Sequence, residues 1–158
     1  MPAAYVVQYI LNGLDAAPDA QAALCERVSD WDAKPRGEDR FSVRECLAHL
    51  ADWEVIWLMR AQRTLAEDKP NLPGIDEGEM AIKNDYASSD PKESLQRYRS
   101  GRNALLAFFR GLTPEQWSRT FTRDDVGEVS LFELASMVLG HDGYHFRHTL
   151  DSLHQRAM

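Results

Sequence analysis

His141, His145 and His148 fall on a single stripe of one helical segment. Stepping by three and four residues gives Leu131, Leu134, Val138, His141, His145 and His148, so a run of core-type residues turns into imidazoles. At ~100° per residue, positions four apart differ by only about 40° around a helix axis. They are offset along it by roughly 6 Å, a spacing suited to holding one metal ion. A buried imidazole needs a partner for each ring nitrogen. A divalent ion takes the acceptor nitrogen, and an outer group takes the N–H. A further ligand must come from another segment. His49 has Cys46, Leu50, Trp53 and Ile56 around it and lies on an apolar side of its own helix. Three neutral histidines leave coordination positions open for water or substrate, as catalytic zinc sites do.

Each of these residues also has an ordinary reading. A lone histidine on an apolar face is more often a hydrogen-bonded core residue, and H-x-x-x-H is a weak signal. Asp142, not Glu, follows His141, so the general base of an H-E-x-x-H protease is missing. His148 reads as a group that orients water, receives a proton or adds a ligand, against a seam residue bonded to a neighbour. Asp52 is expected to bond a ligand imidazole and fix its orientation, against a surface carboxylate. Trp53, Trp57 and Tyr144 read as core or interface residues, with a pocket wall as the alternative. Cys25 and Cys46 read as small core residues. Glu54 reads as structural. Gly140 and Gly143 flank His141 where close approach of a backbone or ligand explains them. The acidic stretch from Asp76 to Glu79 reads as a solvated loop, with covering of the bundle's open end as the alternative.

The elements that must position these residues are marked by helix-start signals. A capping box pairs an N-cap oxygen acceptor with Glu or Gln three residues later. Ser42/Glu45, Asp90/Glu93 (with Pro91 at the first helical position), Thr113/Gln116 and Ser130/Glu133 all fit. The periodicity predicts helices over Ala4–Val28, broken or bent near Asn12-Gly13 and Pro18, then Val43–Glu67, Pro91–Arg110 and Leu131–Gln155. A short helix is expected over Asp76–Tyr86. Nothing shows sustained alternation, so no sheet is expected. The expected fold is all-α, a four-helix bundle with a crossover connection and short connecting helices. The long connection after the second long helix allows a crossover rather than simple up-down order. A single domain over 1–158 is expected.

Charge narrows the partners. With 158 residues and a net charge of −7, the chain lacks the basic face of a nucleic-acid binder. No apolar run reaches the roughly 20 residues that span a bilayer, and residues 1–14 do not read as a signal peptide. The two cysteines form no C-x-x-C motif, so reduced thiols in the cytoplasm are expected.

Ser42 to Arg60, SVRECLAHLADWEVIWLMR, resembles the helix-2 signature of the DinB/YfiT-like superfamily, S-x-x-E-x-x-x-H-L-x-D-x-E. Ser130 to Leu150, SLFELASMVLGHDGYHFRHTL, resembles that superfamily's last helix, T-x-x-E-L-x-x-x-x-x-x-H-x-x-x-H. The resemblance runs through essentially the whole chain and includes the Trp117 segment. It implies a four-helix bundle, a homodimer, and one divalent ion (zinc, nickel or iron) on His49, His141 and His145. His148 departs from the pattern, since relatives often carry Gln there. The implied activity is a metal-dependent enzyme acting on a small molecule. Foremost is thiol-dependent S-transfer to electrophiles with a low-molecular-weight thiol as cosubstrate, assisted by His148 or Asp52. Metal-dependent hydrolysis and a non-catalytic metal- or ligand-binding role in stress responses are the alternatives.

Overall fold

The computed structural model describes residues 2–36 and 40–154. Its helices are α1 (Ala4–Cys25), α2 (Val43–Ala66), α3 (Glu77–Lys83), α4 (Pro91–Arg110) and α5 (Leu131–His154). The four long ones form a bundle in which α2 packs along α4 and α5, and α1 along the same two. The order around the bundle is therefore α1, α4, α2, α5. Helices α1 and α2 face across one diagonal, α4 and α5 across the other. The diagonal crossings are made between α1 and α2 and between α4 and α5. The long connection after α2, which is long enough to allow a crossover, joins side-by-side neighbours. Among the described residues no helix is long and apolar enough to cross a membrane.

Three of the four capping boxes form in full, and at the fourth the Asp90 side chain caps α4 without a return bond from Glu93 among the described residues. Glu45 N–H donates to Ser42 Oγ at 3.2 Å, and Ser42 N–H donates to the Glu45 carboxylate at 2.7 Å. Ser130/Glu133 and Thr113/Gln116 make the same reciprocal pair. Asp90 accepts from the N–H groups of Lys92 and Glu93. These bonds fix where α2, α4 and α5 start and hence which residues face inward. The expected helix over Asp76–Tyr86 resolves into α3, N-capped by Asp76, and a 3-10 turn at Tyr86–Ser88. The expected end of the last helix at Gln155 lies outside the described residues.

Helix α1 runs unbroken through Gly13 and Pro18, where the sequence suggested a bend or a break. Pro18 has no N–H to give the Leu14 carbonyl. Arg102 of α4 supplies the missing donor, its Nη1 lying 2.8 Å from Leu14 O. A tertiary bond thus replaces the lost helical one. Gly13 keeps α1 close to α5, since a Cβ there would meet Leu139 Cδ1 at 2.9 Å.

A small hairpin corrects the expectation of no sheet. Strands β1 (Thr120–Arg123) and β2 (Gly127–Ser130) pair antiparallel around a turn that Gly127 serves with φ of 92°. Strands of four residues are too short to show alternation in a sequence. Phe121 and Val129 sit opposite one another, both buried, and join the main core of Leu14, Trp57, Leu105, Phe109 and Val138. A second apolar cluster gathers Cys46, Leu47, Leu50 and Tyr98.

Candidate metal centre

Packing of α2 against α5 brings the histidines together. His49 Nε2 and His141 Nε2 lie 2.9 Å apart. One ring nitrogen from each of His49, His141 and His145 falls within 4.8 Å of the other two. Ring centroids are 4.6 Å apart for His49 and His145 and 4.5 Å for His141 and His145. Trp53 and Trp57 wall the cluster, each with its ring centroid 5.6 Å from that of His141. Burial pushes His49 down to about 3 and His141 to about 4. Burial and then the neighbouring imidazoles drive His145 lower still. All three rings are therefore neutral at physiological pH, each offering a lone pair.

These residues fit a divalent ion. Two nitrogens bound at ~2.0–2.1 Å to one tetrahedral ion stand roughly 3.3 Å apart, close to the observed 2.9 Å. Without an ion, two neutral imidazoles at that distance share one proton between two lone pairs. The Nδ1 atoms of His49 and His141 are buried and have no hydrogen-bond partner among the described residues. The rings are thus placed by their convergence at Nε2. Imidazole donors suit zinc, iron and nickel.

A second group overlaps the first. Cys46 Sγ lies 3.3 Å from His145 Nδ1. Cys46, His145 and His148 also place one donor atom each within 4.8 Å of the others. Burial pushes the Cys46 thiol up to about 12. His148 Nε2 donates to the Phe41 carbonyl at 2.7 Å. Beside His145 and His148 a cavity of about 240 Å³ opens between Arg40, Phe41, Glu77 and Tyr144. Tyr144 is exposed, with its ring edge-on to His145. The acidic segment does border the open site, through Glu77.

Asp52 does not reach an imidazole. Three residues past His49, it is turned roughly 60° away from it. It accepts from Asn84 at 2.7 Å and Tyr86 at 3.0 Å and pairs with Arg97. It ties α2 to α4 and the connection before it, which corrects its expected role as an imidazole's partner. A Cβ added at Gly140 or Gly143 would meet nothing within 4 Å, so no close approach within the described residues explains either glycine.

Sequence reading missed a buried charge network beside the site. Arg102 Nη2 donates to Glu54 at 2.6 Å, its Nη1 to Asp142 at 2.7 Å, and Tyr98 Oη to Asp142 at 2.8 Å. Glu54, Arg102 and Asp142 are all buried. Asp142 follows His141 directly, so the network holds the turn of α5 that carries the first histidine. The adjacency of an acidic residue to His141 was visible in the sequence, but its partner on α4 was not. For Cys46 the signal was its C-x-x-H spacing to His49.

Comparison with known proteins supplies the remaining context. A family model described as the DinB superfamily matches residues 14–149. YfiT of Bacillus subtilis, named as a candidate metal-dependent hydrolase, is 28% identical over 115 residues, 72% of this chain. Two similarly named proteins are OB0413 of Oceanobacillus iheyensis, 25% identical over 73% of this chain, and BH0277 of Halalkalibacterium halodurans, 24% identical over 93%. The chain spans 65% of the length of the first relative, 66% of the second and 86% of the third. The solved structure of Bacillus subtilis YfiT, described as having an unusual four-helix bundle topology, superposes with a TM-score of 0.91. It covers 99% of this chain and 91% of that one at 21% identity, and shows a shared fold.

Proposed function

The chain belongs to the DinB superfamily, and from that premise we propose a divalent-metal-dependent enzyme that hydrolyses a small molecule. The observation that carries this reading is the convergence of three neutral imidazoles, His49, His141 and His145, the last of which lines an open cavity. The relatives' names support it. A divalent ion held by His49, His141 and His145 would supply Lewis acidity and would bring the pKa of water from 15.7 to about 7. Around it, the walls of Trp53 and Trp57 exclude bulk water from one side. Glu77 is the carboxylate on the cavity wall, and partial burial raises its pKa, which suits a proton acceptor. Arg40 also lines the cavity and suits an anionic substrate group.

Thiol-dependent S-transfer uses the same centre. The cavity's Arg40 and Glu77 complement the carboxylate and ammonium groups of an amino-acid-bearing thiol, and about 240 Å³ holds more than a water. Homodimerisation belongs to the same proposal and is checked by light scattering.

Elemental mass spectrometry on untagged protein, with His49→Ala and His141→Ala alongside, is the test. Near-stoichiometric metal lost in folded variants is expected. Ester and amide panels, run with and without bacillithiol, mycothiol and glutathione, then separate the two reactions. Protein that refuses zinc, nickel and iron alike would sink both.

A further inference from the structure

Cys46 and His148 are donors that hydrolysis at the three-histidine centre does not use, and both converge on His145, which that centre does use. Cys46 is fully buried on α2, and its Sγ faces His145 Nδ1 at 3.3 Å. The proton on His148 is fixed by its neighbour. A carbonyl oxygen only accepts, so the 2.7 Å contact with Phe41 O puts the ring proton on Nε2. Nδ1 is then a bare lone pair, and it is buried with no hydrogen-bond partner among the described residues. A ring nitrogen tied to a backbone carbonyl, with the other left bare, is how outer groups orient a metal-ligating histidine.

We propose a second cation site made of Cys46 Sγ, His145 Nδ1 and His148 Nδ1, selective for thiophilic ions. Thiolate donors select zinc, cadmium or cuprous copper over magnesium or calcium. Binding exchanges the Cys46 S–H proton, released to solvent, for one metal–sulfur bond, and nothing is oxidised or reduced. Metal ligation takes the thiolate form of a cysteine, so uptake at this set depends on pH. Ions reach the set through the cavity beside His145 and His148. His145 belongs to both groups, and a neutral imidazole has a single lone pair, so His145 serves one site at a time, with its proton on Nε2 when Nδ1 binds the ion. That alternation rests on the three-histidine reading, whereas the sulfur site itself does not.

Cadmium alone is the probe. Chelator-stripped full-length protein is titrated with cadmium ion while thiolate-to-metal absorbance in the ultraviolet and bound cadmium are followed. The band is expected in wild type and in Cys25→Ser, which removes the other buried thiol. It is expected to vanish in Cys46→Ser and to need about tenfold or more cadmium in His148→Gln. It should persist in His49→Ala. If Cys46→Ser does not fold, His148→Gln at the cavity wall carries the same test. Cadmium uptake without a band, abolished by His49→Ala, overturns the sulfur site and leaves the three-histidine centre standing. A full band with stoichiometry untouched by His49→Ala and His141→Ala does the reverse. A band that survives Cys46→Ser overturns the proposal, and no uptake at all overturns both sites.

Discussion

An imidazole packed among other imidazoles stays folded only while it stays neutral. His49 titrates near 3 and His141 near 4 in the folded chain, against about 6.5 when unfolded. Asp142 and Arg102 beside His141 act in opposite directions, so burial dominates. Between those values the unfolded chain binds more protons, and stability held above about pH 6.5 is lost as pH falls toward 4. Urea midpoints of metal-stripped protein should therefore drop steadily from pH 7 to pH 4.5. His49→Leu should flatten part of that slope, and a midpoint constant down to pH 5 would contradict the burial argument. The thiols give a second reading of the same interior. Burial raises Cys25 to about 11 and Cys46 to about 12, so neither is a thiolate at pH 8. Iodoacetamide should label neither thiol in the native state and both after denaturation. Rapid native labelling of either would show that the interior opens.

Between the elements, contact depends on what is absent. At Gly101 of α4 a Cβ would lie 2.5 Å from Glu54 Cβ on α2. Alanine gains about 1 kcal/mol in helix propensity over glycine, but forcing a methyl into a packed interface costs ~1–3 kcal/mol. Gly101→Ala should therefore be destabilised despite the better helix former, and chemical denaturation decides it. A more stable variant would mean that α2 and α4 have slack. Ser130→Ala, which breaks the box at the start of α5, should cost about 1 kcal/mol. The starts of α2, α4 and α5 were legible because a cap is written in adjacent residues. The histidine stripe on α5 was legible because helical spacing alone puts it on one face. The β1–β2 hairpin was not, since its stability comes from Phe121 and Val129 meeting the core rather than from local pattern. The continuity of α1 was hidden for a similar reason, because Arg102, which takes the carbonyl Pro18 leaves free, lies 88 positions along the chain from Leu14.

Across the whole molecule, Arg102 joins all four long helices. It belongs to α4, donates to Leu14 O on α1, pairs with Glu54 on α2 and pairs with Asp142 on α5. Such a cluster is weak evidence for stability, because an apolar set of the same volume often does as well. Breaking it on one side is different, since two carboxylates would be left buried without a cation. Arg102→Met should cost about 3–5 kcal/mol, more than the loss of a cap. Adding Glu54→Gln and Asp142→Asn to Arg102→Met should recover much of that loss, because neutral amides need no counter-charge. Metal affinity separates a structural role from a positioning one. The triple variant restores the fold without restoring the fixed geometry at Asp142, so His141 loses its anchor. If the network positions His141, the refolded triple variant should bind metal about tenfold more weakly than wild type. Full affinity at recovered stability would confine the network to holding the bundle together.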